Sequence, residues 1–156
     1  LSYADNFIVD KVYHPYVLPF EREFEWRLTS RQNDEGNLLM QRASFGHALS
    51  QRTILEAYVV GARDENGDFN TSSYELELRW MLTEQGQYWA DWGALFELEK
   101  QHNTDDWEFK AGVLTEKEFG RFSLTTNVIL AYEWGESLDS ELEGEFKMKY
   151  RYRWTN

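Results

Sequence analysis

With 28 acidic against 16 basic side chains in 156 residues, a net charge of −12, the chain has the size of one domain and lacks the basic balance a nucleic-acid binder needs to neutralise phosphates. It contains no cysteine, which excludes disulfides and thiolate metal sites, and no apolar run approaches the roughly 20 residues of a membrane-spanning helix. Aromatic residues make up 17% of it and fall in alternating stretches, which points to an all-β fold.

Residues 1–19 lack a clean period. Pro15 and Pro19 bracket Tyr16-Val17-Leu18 and favour extended or turn structure, so this part reads as an N-terminal arm ahead of a β-domain over 20–156. Ser2-Tyr3-Ala4 has the small-residue spacing of a signal-peptidase site and is compatible with an exported, processed chain.

The first strand is expected from about Phe20 to Thr29. Phe20, Phe24, Trp26 and Leu28 lie on one face, and Glu21, Glu23, Glu25 and Arg27 on the other. After a polar loop over Ser30–Asn37, a second strand (about Leu39–Leu49) places Ala43, Phe45, His47 and Leu49 opposite Arg42, Ser44, Gly46 and Ala48. A tight turn at Ser50-Gln51 leads to a third (about Arg52–Gly61), with Leu55, Ala57 and Val59 against Ile54, Glu56 and Tyr58. Arg63–Ser73 reads as the longest loop.

In the fourth strand Tyr74, Leu76, Leu78, Trp80 and Leu82 alternate with Glu75, Glu77, Arg79 and Met81. A tight turn over Thr83–Gln87 leads to the fifth, where Tyr88, Trp92, Phe96 and Leu98 alternate with Trp89, Asp91, Leu95, Glu97 and Glu99. A polar loop over Lys100–Asp106 precedes the sixth, Trp107–Leu114, in which Trp107, Phe109, Ala111 and Val113 face away from Glu108, Lys110 and Gly112. A turn over Thr115–Phe119 opens the final hairpin, Gly120–Trp134 and Leu142–Trp154. There Phe122, Val128, Leu130, Tyr132 and Trp134, then Phe146, Met148, Tyr150, Tyr152 and Trp154, share a face. Glu141, Glu143, Glu145, Lys147, Lys149, Arg151 and Arg153 occupy the other.

Eight strands with no helical period between them predict antiparallel neighbours in up-and-down order. Alternation leaves two readings open. In a soluble sheet or sandwich the apolar face is a core; in a transmembrane barrel it meets lipid while the charged face lines the interior. Longer polar loops at one end and tight turns at the other favour the barrel. So do aromatics near both ends, Phe20, Trp80, Tyr88, Tyr152 and Trp154 at one and Tyr74, Trp107, Tyr132 and Trp134 at the other, with smaller apolar residues between.

In this pattern Phe20–Trp154 resembles the outer-membrane β-barrel proteins of Gram-negative bacteria. The resemblance implies an up-and-down transmembrane barrel in the outer membrane, with lipids and the barrel assembly machinery as partners and a structural, adhesion or narrow, porin-like transport role. A protein partner or small solute is left open. Such proteins commonly finish on an aromatic residue, whereas Thr155 and Asn156 follow Trp154 here. Either the end is unusual or further strands follow.

A lumen of this kind is expected to hold an ion-pair network of Glu21, Glu23, Glu25, Arg27, Glu75, Glu77, Arg79, Asp91, Glu97, Lys110, Glu143, Glu145, Lys147, Lys149, Arg151 and Arg153, since buried charges need partners. Arg79 is expected near Asp91 and Lys110 near Glu97. The first and last strands are expected to pair, setting Glu21, Glu23 and Glu25 against Lys149, Arg151 and Arg153, and Arg27 against Glu143 or Glu145.

No cofactor motif and no metal-ligand spacing is legible among His14, His47 and His102. A lipid-modifying enzyme using His47 with Ser44 or Ser50 is disfavoured because His47 and Ser44 fall on opposite faces. The remaining alternative is a soluble exported barrel or sandwich that binds an apolar ligand.

Overall fold

The computed structural model describes residues 11–17, 22–33, 36–63 and 67–154. They form one eight-stranded antiparallel sheet in sequential order, with no helix among the described residues. Its strands are β1 (Arg22–Asn33), β2 (Gly36–Ala48), β3 (Thr53–Arg63), β4 (Phe69–Met81), β5 (Asp91–Gln101), β6 (Trp107–Phe119), β7 (Phe122–Trp134) and β8 (Glu141–Tyr152). The expected Phe20 and Glu21 lie outside the described residues.

One face of the sheet buries mostly polar residues and the other exposes apolar ones. On β7 the odd positions Ser123, Thr125, Asn127, Ile129 and Ala131 are buried, and the even positions Phe122, Val128, Leu130 and Tyr132 are exposed. The same alternation places Ile54, Glu56 and Tyr58 inward on β3 and Val59 outward. On β2, Ser44 is buried while Phe45 is exposed, as is Leu49 just past the strand's end. One sheet supplies both faces, so the sandwich alternative, with the aromatics as core between two sheets, is not the architecture found.

Two irregularities have local causes. Pairing shifts between Val60↔Ser73 and Gly61↔Thr71, a bulge that leaves Ser72 as the extra residue of β4. β6 and β7 join through Gly120-Arg121, with Phe119 paired to Phe122 and Gly120 at φ 60°, a positive φ that a two-residue hairpin takes most readily with glycine.

Several expected boundaries are corrected. β4 begins at Phe69, so most of the expected Arg63–Ser73 loop is strand. β6 runs to Phe119, so the expected Thr115–Phe119 turn is strand as well. The supposed tight turn at Thr83–Gln87 is the longest connection, from Leu82 to Ala90, and Tyr88 belongs to it rather than to β5. The Asp91 carboxylate accepts from the Gly86 N–H (2.7 Å) and Leu82 N–H donates to the Trp92 carbonyl (2.9 Å), which anchors this connection ahead of the ladder. The expected asymmetry of loop length between the two ends is therefore absent.

The expected closure is absent too. Each strand pairs only with its sequence neighbours, and among the described residues no pairing joins β1 to β8. Some of the charges that suggested closure have partners elsewhere. Arg27 pairs with Glu25 on its own strand, Lys147 with Glu145 (3.2 Å), and Arg153 stands 4.0 Å from Glu118. Exposed ion pairs contribute only ~0–1 kcal/mol, so charge matching alone does not hold two strands together.

Candidate functional site

The inner face of β2–β6 carries a chain of charges. Arg79 Nη2 donates to Glu56 Oε1 (3.0 Å), and Glu56 also accepts from the Tyr58 hydroxyl. The Tyr58 ring lies 4.1 Å beneath the Arg42 guanidinium, whose Nη2 donates to both oxygens of Glu75 (2.9 and 3.1 Å). Glu75, Glu97 and Glu99 each bring a carboxylate oxygen within 4.8 Å of the others. Lys110 sits 3.6 Å from Glu97 and 3.0 Å from Glu108, so counter-charge enters this acidic cluster from Arg42 on one side and Lys110 on the other. Glu99 is capped by Gln101 Nε2 (3.0 Å).

Next to this chain lies a cavity of about 320 Å³, bounded by Arg42, Glu75, Glu97, Lys110, Glu145 and Lys147 and reaching Asp106, Trp107 and Leu138 at the end where β5–β6 and β7–β8 connect. A latch holds its mouth. Asp106 accepts from the Thr104 hydroxyl (2.6 Å) and the Ser137 N–H (2.9 Å), and these donors, Thr104 first, hold its carboxyl below the usual range. A Cβ on Gly135 would stand 2.5 Å from Asp106 Cα, so only glycine lets the two connections approach this closely.

At the other end the inner face is filled by the N-terminal arm. The Tyr13 N–H donates to Asn127 Oδ1 (2.8 Å) and Asn127 Nδ2 donates to the Tyr13 carbonyl (2.9 Å), so a fully buried amide on β7 pairs with the arm as a strand would. The Tyr13 hydroxyl donates to Glu77 on β4 (2.8 Å). In a flat sheet β4 and β7 would stand ~14 Å apart, yet this one residue bridges them. His14 Nδ1 lies 2.5 Å from Glu116, which also accepts from Thr125, and the Tyr16 hydroxyl donates to Asp91 (2.7 Å). Burial raises both phenols above their ordinary range, Tyr13 further through the Glu77 charge and Tyr16 through its bond to Asp91, so both remain donors. Beneath the Tyr13 ring, Leu95, Leu114 and Ile129 form a small apolar layer.

Of the residues expected in the network, Glu75, Glu97, Lys110, Glu145 and Lys147 gather around the cavity. Glu77 and Asp91 bind the arm instead, and Arg79 pairs with Glu56 rather than the expected Asp91. Glu23, Arg27, Glu143, Lys149, Arg151 and Arg153 are exposed and Glu25 is half-buried. Arg42, Glu56, Tyr58 and Glu108 are members that the sequence reading placed on this face without assigning them partners. Tyr13, His14 and Asn127 carried no local signal.

The aromatics form two groups. Trp107 and Trp134 face each other across β6 and β7 (6.4 Å between centroids, 7° between planes), with Tyr132 5.7 Å from Trp134. Tyr74, at the same end, bonds His102 (2.9 Å). At the opposite end Phe122, Tyr150, Tyr152 and Trp154 make a chain of contacts 4.7–5.5 Å apart, and Trp80 and Tyr88 are exposed there. His47 is exposed and Ser44 buried, on opposite faces of β2. No protein-family model, curated protein or solved structure matches the chain.

Proposed function

We propose that this sheet is part of an integral outer-membrane β-barrel whose apolar face meets lipid and whose charged face lines a narrow lumen, serving as a structural, adhesion or transport component. One observation carries the reading, the inversion of polarity. Asn127 is 0% exposed, Glu77 1% and Thr125 2%, while Phe24 is 73% and Leu142 and Phe146 are each 67% exposed. In water an apolar surface of this extent is costly and prone to association; in lipid it is the favourable side.

The dimensions agree. From Phe122 to Trp134 the strand runs ~40 Å at ~3.3 Å per residue, and a tilt of ~45° reduces that to roughly 28 Å, near the ~25 Å apolar band that aromatic girdles flank in such barrels. A barrel in lipid leaves no strand edge unpaired, so this reading requires strands beyond these eight to join β8 to β1. Outer-membrane lipid and the barrel assembly machinery are the partners it entails.

Fractionation tests it. The protein is expected to pellet with membranes and to need detergent for recovery in a folded, monodisperse form. Recovery in that state from an aqueous extract without detergent would reject the barrel in favour of a soluble β-protein.

A further inference from the structure

The arm described above divides the inner face in two. On one side lies the cavity at the latch end; on the other, His14, Pro15 and Tyr16 sit against Glu116, Gly93 and Asp91 near the Leu82–Ala90 connection. Tyr13 stands at the boundary and lines the cavity floor.

The sheet is built to receive this segment. A Cβ on Gly93 would lie 2.9 Å from Pro15 Cα, and a glycine inside a strand marks a place where another backbone comes close. Asn127 spends both halves of its amide on the Tyr13 backbone. Yet Tyr13, His14 and Tyr16 are held through side chains of the sheet, with no strand ladder, and water can replace such polar contacts when the segment withdraws.

The cavity above also has a sign. With every group ionised, the lining among the described residues carries seven carboxylates against four cations, and one of those cations, Lys11, belongs to the arm itself. Withdrawal of the arm removes a positive charge from an already acidic passage, and rings of carboxylates select cations.

We infer that residues 11–17 are a gate that closes the floor of a cation-preferring vestibule, an inference that rests on the barrel reading above. Tyr13, Asn127, Glu77 and Gly93 form its seat. In the closed state small cations enter from the latch end and stop at Tyr13; when the arm leaves, they pass.

The test is current through the intact protein in a planar bilayer under a KCl gradient at alkaline pH, where the lining carboxylates are ionised. Asn127→Leu removes both hydrogen bonds to the Tyr13 backbone and is expected to raise the open probability about tenfold, with a reversal potential set by potassium. Because that variant can fail to fold, a second accompanies it: Gly93→Ala places a Cβ about 2.9 Å from Pro15 Cα, too close for the arm to keep its seat, and is expected to raise the open probability as well. Unchanged open probability in either variant, once shown to be folded, overturns the gate. A chloride-set reversal potential overturns the cation preference. If the protein does not enter the bilayer, the gate falls together with the barrel reading, and absent insertion, visible before any current is recorded, identifies that cause.

Discussion

Replacing Val128 with arginine is expected to cost about 2–4 kcal/mol of stability in lipid, the loss for a cation at the midplane of a barrel's outer face. Val128 lies midway along β7, 54% exposed, between Phe122 at one aromatic group and Trp134 at the other. The same substitution at Phe122, among the girdle residues, is expected to cost only ~0–1 kcal/mol. In a soluble protein both sites are surface positions, and both changes would fall within about ±0.5 kcal/mol. Denaturant titration of the protein folded into vesicles measures the difference, and equal, small effects at the two sites contradict a lipid-facing Val128.

Leu95→Ala is expected to cost about 2–5 kcal/mol for a different reason. Leu95 is 0% exposed and packs with Leu114, Ile129 and the Tyr13 ring, the apolar layer on an otherwise polar inner face. Truncation there leaves a hole between the sheet and the arm that rigid strands cannot fill. Its neighbour Phe96 is 37% exposed on the other face and leaves no enclosed void when shortened, so the same titration should separate two adjacent residues of one strand. A loss at Leu95 below about 1 kcal/mol contradicts the tight packing of the arm against β5.

The period of two was legible throughout, because a strand with one face buried writes its register into every second residue. It placed Ile54, Glu56 and Tyr58 on one face and Val59 on the other even where the pattern was poor. It did not place strand ends. Tyr88, Ala90 and Trp92 continue the alternation of β5 backwards, yet the ladder starts at Asp91, because the Asp91 side chain and Leu82 hold the preceding residues in a turn by contacts that no local pattern records. Likewise Phe69–Ser73, polar enough to read as loop, extends β4 because β3 offers it a partner through a bulge.

Long-range partners set the limit for the site. Lys110 and Glu97 are opposite in register, so their proximity followed from the hairpin alone. Arg79 was expected near Asp91 across one hairpin, yet it pairs with Glu56 across the other, and Asp91 takes the Tyr16 hydroxyl of the arm. Tyr13 and Asn127 lie 114 residues apart, and neither has a neighbour that announces the other.

The central claim, that the exposed apolar face of the sheet meets lipid and the buried polar face a lumen, is tested most directly by a cysteine scan along β7. A fluorophore is attached at each position from 122 to 132 in the protein folded into vesicles and quenched from the lipid phase and from water in turn. The account predicts a period of two: lipid-phase quenching at 122, 124, 126, 128, 130 and 132, and none at 123, 125, 127, 129 and 131. Quenching of the even positions from water and not from lipid, or no alternation, would contradict it.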